Sequence, residues 1–182
     1  GLETVEMSYV DHRVPHGNVL GGNEGIGQGR RYALSALELG RINVASRAVG
    51  VAQAAFETAM RYAQQRETFG RPIFEHQAIQ FKLAEMATKL QAARLMTYDA
   101  ARRADAGERV DMEAGMAKLF ASEAAFEIAT DAMRIHGGNG YTTEFPVERY
   151  FRDTPLMIIG EGTSEIQKMV IARKLLERYP AE

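Results

Sequence analysis

The chain has 182 residues, 46% of them hydrophobic and 25% charged, with a formal net charge of -2 and no cysteine. That length suffices for one domain with a substantial core. The charge balance leaves no basic stripe for nucleic acid, the missing cysteines exclude disulfides and thiolate metal sites, and no apolar run reaches the length of a membrane span.

Residues 1–24 scatter Val5, Tyr9, Val10, Val14, Val19 and Leu20 among polar residues, Pro15 and glycines, which predicts one or two short strands with turns. Two strands cannot bury a face alone. The stretch starts at Gly1 rather than Met and reads like the middle of a fold, so a larger N-terminal part is expected upstream. Residues 21–29, GGNEGIGQG, match G-x-G-x-x-G in no register, and a strand-to-helix hinge is favoured over a phosphate cradle. His12 and His16 stand four apart, but Pro15 between them argues against a helical metal site.

From about Arg30 the pattern is helical. Val44, Ala48, Val51, Ala55 and Tyr62 recur at steps of three and four, as do Ile79, Leu83, Met86, Leu90 and Ala93 in the next segment. Met112, Met116, Leu119, Phe120, Phe126 and Met133 continue it in a third. Such spacing puts apolar groups on one side of each helix. Breaks are expected at Phe69-Gly70-Arg71-Pro72, Ala106-Gly107-Glu108 and Gly137-Gly138-Asn139-Gly140. Pro155 is expected in a loop before a shorter fourth helix over about 164–178, with Ile166, Met169 and Val170 inward. The reading is all-α: an antiparallel four-helix bundle over 25–182, preceded by a short β or extended remnant over 1–24. Met and Ala on more than one side of these helices imply a second buried face, against another subunit or another domain.

Four places offer chemistry. Glu161 follows the apolar Ile158-Ile159 and precedes a helix start, where Ser164 and Gln167 have capping-box spacing. A carboxylate shielded from water holds a proton more tightly, which suits a base that takes a proton from carbon. By spacing alone, a solvated loop glutamate beside a helix N-terminus is the favoured reading. His136 and the glycines after it would let a ligand approach bare backbone, or simply stop a helix. Arg66 with Thr68 two residues on suits a pyrophosphate, or is an ordinary charged helix end, and His76-Gln77 adds polar groups nearby. Arg41, between Leu39 and Ile42, needs a partner if buried, and Glu38 lies three residues earlier; on the surface the pair would be worth little.

Taken in order, these segments resemble the acyl-CoA dehydrogenase family. The likeness runs through Val14-Pro15 to Leu20-Gly21, Ala48-Val49-Gly50-Val51-Ala52-Gln53, Arg66-Glu67-Thr68-Phe69-Gly70, His76-Gln77, Gly137-Gly138-Asn139-Gly140-Tyr141, Phe145-Pro146-Val147-Glu148-Arg149, Arg152-Asp153 and Glu161-Gly162-Thr163-Ser164-Glu165-Ile166-Gln167. It covers nearly the whole chain. The resemblance implies the end of a middle β domain followed by the C-terminal bundle, with FAD held between the two.

It further implies α,β-dehydrogenation of an acyl-CoA, with Glu161 taking the α-proton while the β-hydrogen leaves as hydride to the flavin N5. Relatives that place the base on the first long helix match Gly40 here, which has no side chain. By the same likeness Arg66 and Thr68 reach the FAD of a neighbouring subunit, and His76 and Gln77 form a second flavin contact. The stretch from Arg134 to Gly137 and Gly138 passes the adenine end, and Thr163, Ser164 and Glu165 lie near the diphosphate. Glu38 and Arg41 line the acyl-CoA channel, with Gly160 and Gly162 flanking the base. Gly160, where several straight-chain members carry tyrosine, implies room for a branched or cyclic acyl group. Implied partners are an electron-transfer flavoprotein or other electron acceptor and further copies of the chain, as dimer or tetramer. Implied locations are the cytoplasm or the mitochondrial matrix. The isolated chain is expected to bind FAD poorly and to be inactive. An acyl-CoA oxidase using O2, and a helical assembly module without catalysis, are the competing expectations.

Overall fold

A computed structural model describes residues 3–181. Its main helices are α1 (Gly29–Gln65), α2 (Gln77–Asp105), α3 (Asp111–His136), α4 (Val147–Ile159) and α5 (Ser164–Arg178). A two-residue hairpin, β1 (Glu67–Thr68) against β2 (Arg71–Pro72), links α1 to α2. Its turn puts Phe69 and Gly70 at φ +53° and +76°, the doubly left-handed geometry that suits the twist of a tight hairpin. The expected all-α bundle is present, with its fourth side shared between α4 and α5.

The core is built of alanine. On α1, Ala45, Ala48, Ala52, Ala55, Ala59 and Ala63 are buried; on α3, Ala114, Ala117, Ala121, Ala125, Ala129 and Ala132 are. Steps of three and four keep each set on one stripe, and side chains this small let the two backbones approach closely. Leu83, Met86, Leu90 and Ala93 of α2 fill the volume beside them, as their periodicity predicts.

The same periodicity misleads on two helices. Met116, Leu119, Phe126 and Met133 of α3 are only half-buried and Phe120 is exposed, because the inward stripe is the alanine one. On α5, Ile166 and Met169 face outward while Ser164 and Gln167 point in. A helix apolar on two sides gives period but no direction.

Two further expectations are corrected. Pro155 lies inside α4 rather than in a loop. Proline cannot donate to the carbonyl four residues back, and the buried Thr154 hydroxyl donates to that Phe151 carbonyl instead, at 3.1 Å. Residues 3–24 form extended chain and 3-10 turns at His16–Asn18 and Gly22–Gly25, not strands, and Val5, Tyr9, Val10, Val14 and Leu20 are exposed. A strand without a neighbour has no ladder to join. No helix among the described residues is long and apolar enough to cross a membrane.

Candidate active site

Glu161 sits in the break between α4 and α5. Its φ is +55°, and Gly162 follows at +92°. A non-glycine residue in this region is uncommon and costs about 1–2 kcal/mol, so the loop must be held from outside. Four hydrogen bonds do so. Lys118 Nζ donates to Ile158 O and Gly162 O, each at 2.8 Å. Gln167 Nε2 donates to Glu161 O and Gly162 O, each at 3.0 Å. Both side chains are fully buried.

The loop turns the half-buried Glu161 side chain onto α1. A Cβ built on Gly40 would collide with Glu161 Oε2 and lie 2.8 Å from its Cδ. The two positions at which the resemblance puts a base thus meet in space, and Gly40 is the vacancy that the Glu161 carboxylate fills. That carboxylate makes no hydrogen bond or ion pair to any described residue.

Lys118 is within electrostatic reach of it. Burial pushes the Lys118 ammonium below its ordinary value, partly opposed by Glu123, Glu165 and Glu161 and reinforced by Arg41. Arg41 is half-buried, and its Nε is shielded from water without a partner. Glu38 does not pair with it: Glu38 Oε1 accepts from Val110 N at 3.0 Å, tying α1 to the start of α3.

At the start of α5 the cap lies one residue before the expected one. Thr163 Oγ1 accepts from Ile166 N at 3.4 Å. The Ser164 hydroxyl is buried and donates its one proton to Glu123 Oε1 at 2.6 Å. The exposed Glu165 carboxylate is held low by its own backbone N–H and then by the Thr163 hydroxyl.

The other predicted residues gather at the far end of the bundle. Arg66 to Gly40 is 26 positions along α1, about 39 Å at 1.5 Å per residue. Here Tyr62, Arg66, Thr68, His136, Gly137, Gly138 and Asn139 line a cleft of about 270 Å³. Arg66 is exposed without a partner among the described residues. His76 Nδ1 lies 3.2 Å from Arg71 Nη2, and His76 Nε2 lies 2.9 Å from Thr68 Oγ1. Arginine only donates, so Nδ1 accepts and Nε2–H donates; the Thr68 hydroxyl proton stays available outward. Gln77, the first residue of α2, is exposed. Arg134 is exposed and pairs with Asp131 at 3.6 Å. Gly137 takes φ +59° and ψ -136°, a backbone that glycine alone adopts readily.

His136 is buried in a stack on Tyr62, ring centroids 4.1 Å apart, with Phe145 edge-on to both. Its Nδ1 donates to Ala132 O at 2.8 Å, and Nε2 is buried without a partner. Burial holds its pKa below the ordinary 6.5, against the smaller opposite pull of that carbonyl. Stability is therefore complete above pH 6.5 and falls as pH drops toward the folded-state value, because only the unfolded chain binds the proton. His136→Leu is expected to abolish this loss of up to about 1.4 kcal/mol per pH unit, read as a smaller drop in Tm between pH 7.5 and pH 5 than in the parent. Equal drops in the two proteins would refute it.

Sequence reasoning did not single out Lys118, and it placed Gln167 only in a capping box with Ser164. A signal was present for the first: Lys118 interrupts the run Ala114-Gly115-Met116-Ala117 and Leu119-Phe120-Ala121. A lone cation in such a run is either at an edge or buried with partners.

An alanine-cored helical bundle that presents one unpartnered carboxylate from a strained loop is the domain type seen here, and comparison gives its family. Residues 27–176 match the family model described as acyl-CoA dehydrogenase, C-terminal domain. The chain belongs to the acyl-CoA dehydrogenase family. It is 48% identical over 177 residues to a 3-(aryl)acrylate reductase of Clostridium sporogenes, covering 97% of this chain and 46% of that protein. It is 48% identical over 176 residues to the mitochondrial short-chain specific acyl-CoA dehydrogenase of Rattus norvegicus, covering 97% of this chain and 42% of that one. Among solved structures, butyryl-CoA dehydrogenase from Megasphaera elsdenii superposes with a TM-score of 0.81 at 43% identity, over 82% of this chain and 39% of that one. The chain spans less than half the length of these relatives.

Proposed function

We propose that the chain is the base-bearing domain of a flavoenzyme that performs α,β-dehydrogenation of acyl-CoA thioesters, with Glu161 as the base. The observation that carries this is the Glu161 carboxylate itself: half-buried, without a partner, and held over Gly40 by a clamped loop. A carboxylate kept free of ion pairs remains able to accept a proton from carbon. Residues 1–24 are, in this reading, the end of the family's middle β domain.

FAD, when bound, supplies the acceptor for the β-hydrogen. The donors at the far cleft fit part of such a group: an unpartnered guanidinium at Arg66, the outward hydroxyl proton of Thr68, and bare backbone at Gly137 and Gly138. A cleft of about 270 Å³ grips one end of a dinucleotide at most. Because it lies about 39 Å along α1 from Gly40, Arg66, Thr68, His76, Gln77, Arg134, Gly137 and Gly138 serve the cofactor of a second copy. Thr163 and Glu165 serve the cofactor at the Glu161 end, with Ser164 acting from inside. Phe69, 96% exposed at the hairpin tip, supports burial against such a copy. Arg41, Glu38, Gly160 and Gly162 shape the channel in which the thioester lies. An electron-transfer flavoprotein or another acceptor then takes the electrons.

A second reading runs the chemistry in reverse, as reduction of an enoyl or arylacryloyl thioester, and the reductase among the relatives favours it. Glu161 would then return a proton to the α-carbon. Incubating the whole enzyme with a panel of saturated acyl-CoAs and an artificial electron acceptor is expected to yield 2-enoyl thioesters by mass spectrometry. Enoyl substrates with reduced electron carriers test the reverse. No conversion in either direction across the panel would overturn the proposal.

A further inference from the structure

We infer that Lys118 and Gln167 are positioning residues for Glu161, a buried two-point clamp that sets where the base stands and so sets the rate of proton transfer. The inference rests on the reading of Glu161 as the base. Nothing about the packing of the bundle asks for these two residue types. A fully buried lysine costs several kcal/mol to desolvate, and a methionine would fill the same volume without that cost. What the ammonium gains is two carbonyls that no backbone group satisfies: Ile158 O in the last turn of α4, where partial negative charge collects, and Gly162 O beyond the break.

Gln167 reaches the same segment from α5, one amide nitrogen bridging Glu161 O and Gly162 O. Two glycines are shaped around it. A Cβ on Gly162 would lie 2.7 Å from Gln167 Nε2, and one on Gly115 of α3 would lie 3.3 Å from Gln167 Oε1. Gln167 Oε1 itself is buried and without a partner, a cost borne at this spot.

The clamp therefore holds the carbonyls on both sides of Glu161 and fixes its left-handed φ. Neither side chain contacts the Glu161 carboxylate by hydrogen bond. Their hydrogen bonds act through the backbone, on the direction in which Cα–Cβ points, and the uncharged Gln167 does so without the charge that Lys118 also brings to bear on Glu161. Displacing a reacting group by about 1 Å costs up to about 10²-fold in rate, so loss of two of the four bonds is a kinetic event rather than a binding one.

The test uses the whole enzyme with Lys118→Met and, separately, Gln167→Met, which keeps both lysine bonds and carries the test alone if the lysine variant does not assemble. Expected for each are a fall in kcat of about tenfold or more, KM for acyl-CoA changed by less than about threefold, unchanged flavin content, and faster amide hydrogen exchange confined to residues 160–163. In a Glu161→Gln background the same substitutions are expected to add no further loss, since there is no base left to position. Either of two results overturns the inference: kcat near the parent value while the loop exchanges faster, or losses that multiply with that of Glu161→Gln. If Glu161→Gln itself leaves turnover intact, the base assignment fails first and the clamp is purely structural, which the exchange data then register separately.

Discussion

Glu161→Gln in the whole enzyme is expected to lower α-proton abstraction by about 10²–10⁴-fold while leaving stability and cofactor content as they were. The amide keeps the shape of the side chain and loses only its ability to take a proton. Because the carboxylate makes no hydrogen bond or ion pair to the described residues, removing its charge costs only its share of the electrostatic support for Lys118, the smallest of those acting on it, and stability is expected to change by no more than a surface substitution would change it, about 0.5 kcal/mol. The backbone oxygen of residue 161, which Gln167 holds, is untouched. Rapid-mixing measurement of flavin reduction by acyl-CoA reads the chemical step directly. A rate within about tenfold of the parent, with the same thermal midpoint, would mean that another group takes the proton.

The second large effect separates stability from activity. Gly40 lies inside α1, where alanine is better than glycine by up to about 1 kcal/mol. The added methyl would occupy the place of the Glu161 carboxylate, colliding with Oε2 and approaching Oε1 to 3.3 Å. The far end of a glutamate is free to swing aside, so the helix keeps its gain and the base loses its position. Gly40→Ala is expected to raise or preserve the thermal midpoint while slowing proton abstraction by about 10- to 100-fold. A variant that is both as stable and as fast as the parent would show that the carboxylate works from elsewhere.

Much of this architecture was legible from residue order. Helix starts and stops at Gly29, Asp105 and His136 follow from Gly and Pro punctuation, and the ordered motifs from Arg66 to Gln167 point to one family. What stayed hidden has common physical causes. The direction of α3 and α5 was ambiguous because both carry apolar residues on two sides; on α3 the alanines won the interior by permitting closer contact, and on α5 Ser164 and Gln167 turned in to reach Glu123 and the Glu161 loop. The helix through Pro155 depended on a neighbour's hydroxyl, which no propensity encodes. The expected pairing of Glu38 with Arg41 failed because a backbone N–H at Val110, 72 positions away in sequence, claimed the carboxylate first. Lys118 and Gln167 act through carbonyl oxygens, groups that every residue has and no motif reveals.

The alanine seam between α1 and α3 has a consequence for how this domain tolerates change. A methyl group has no rotamers, so a seam made of methyls cannot repack around an intruding atom as a leucine-filled interior does. Drift in sequence should accordingly be channelled to the outer sides, where Met116, Phe120 and Met169 have space to exchange shape. A combinatorial library for this scaffold would keep the seam constant and spend its diversity there.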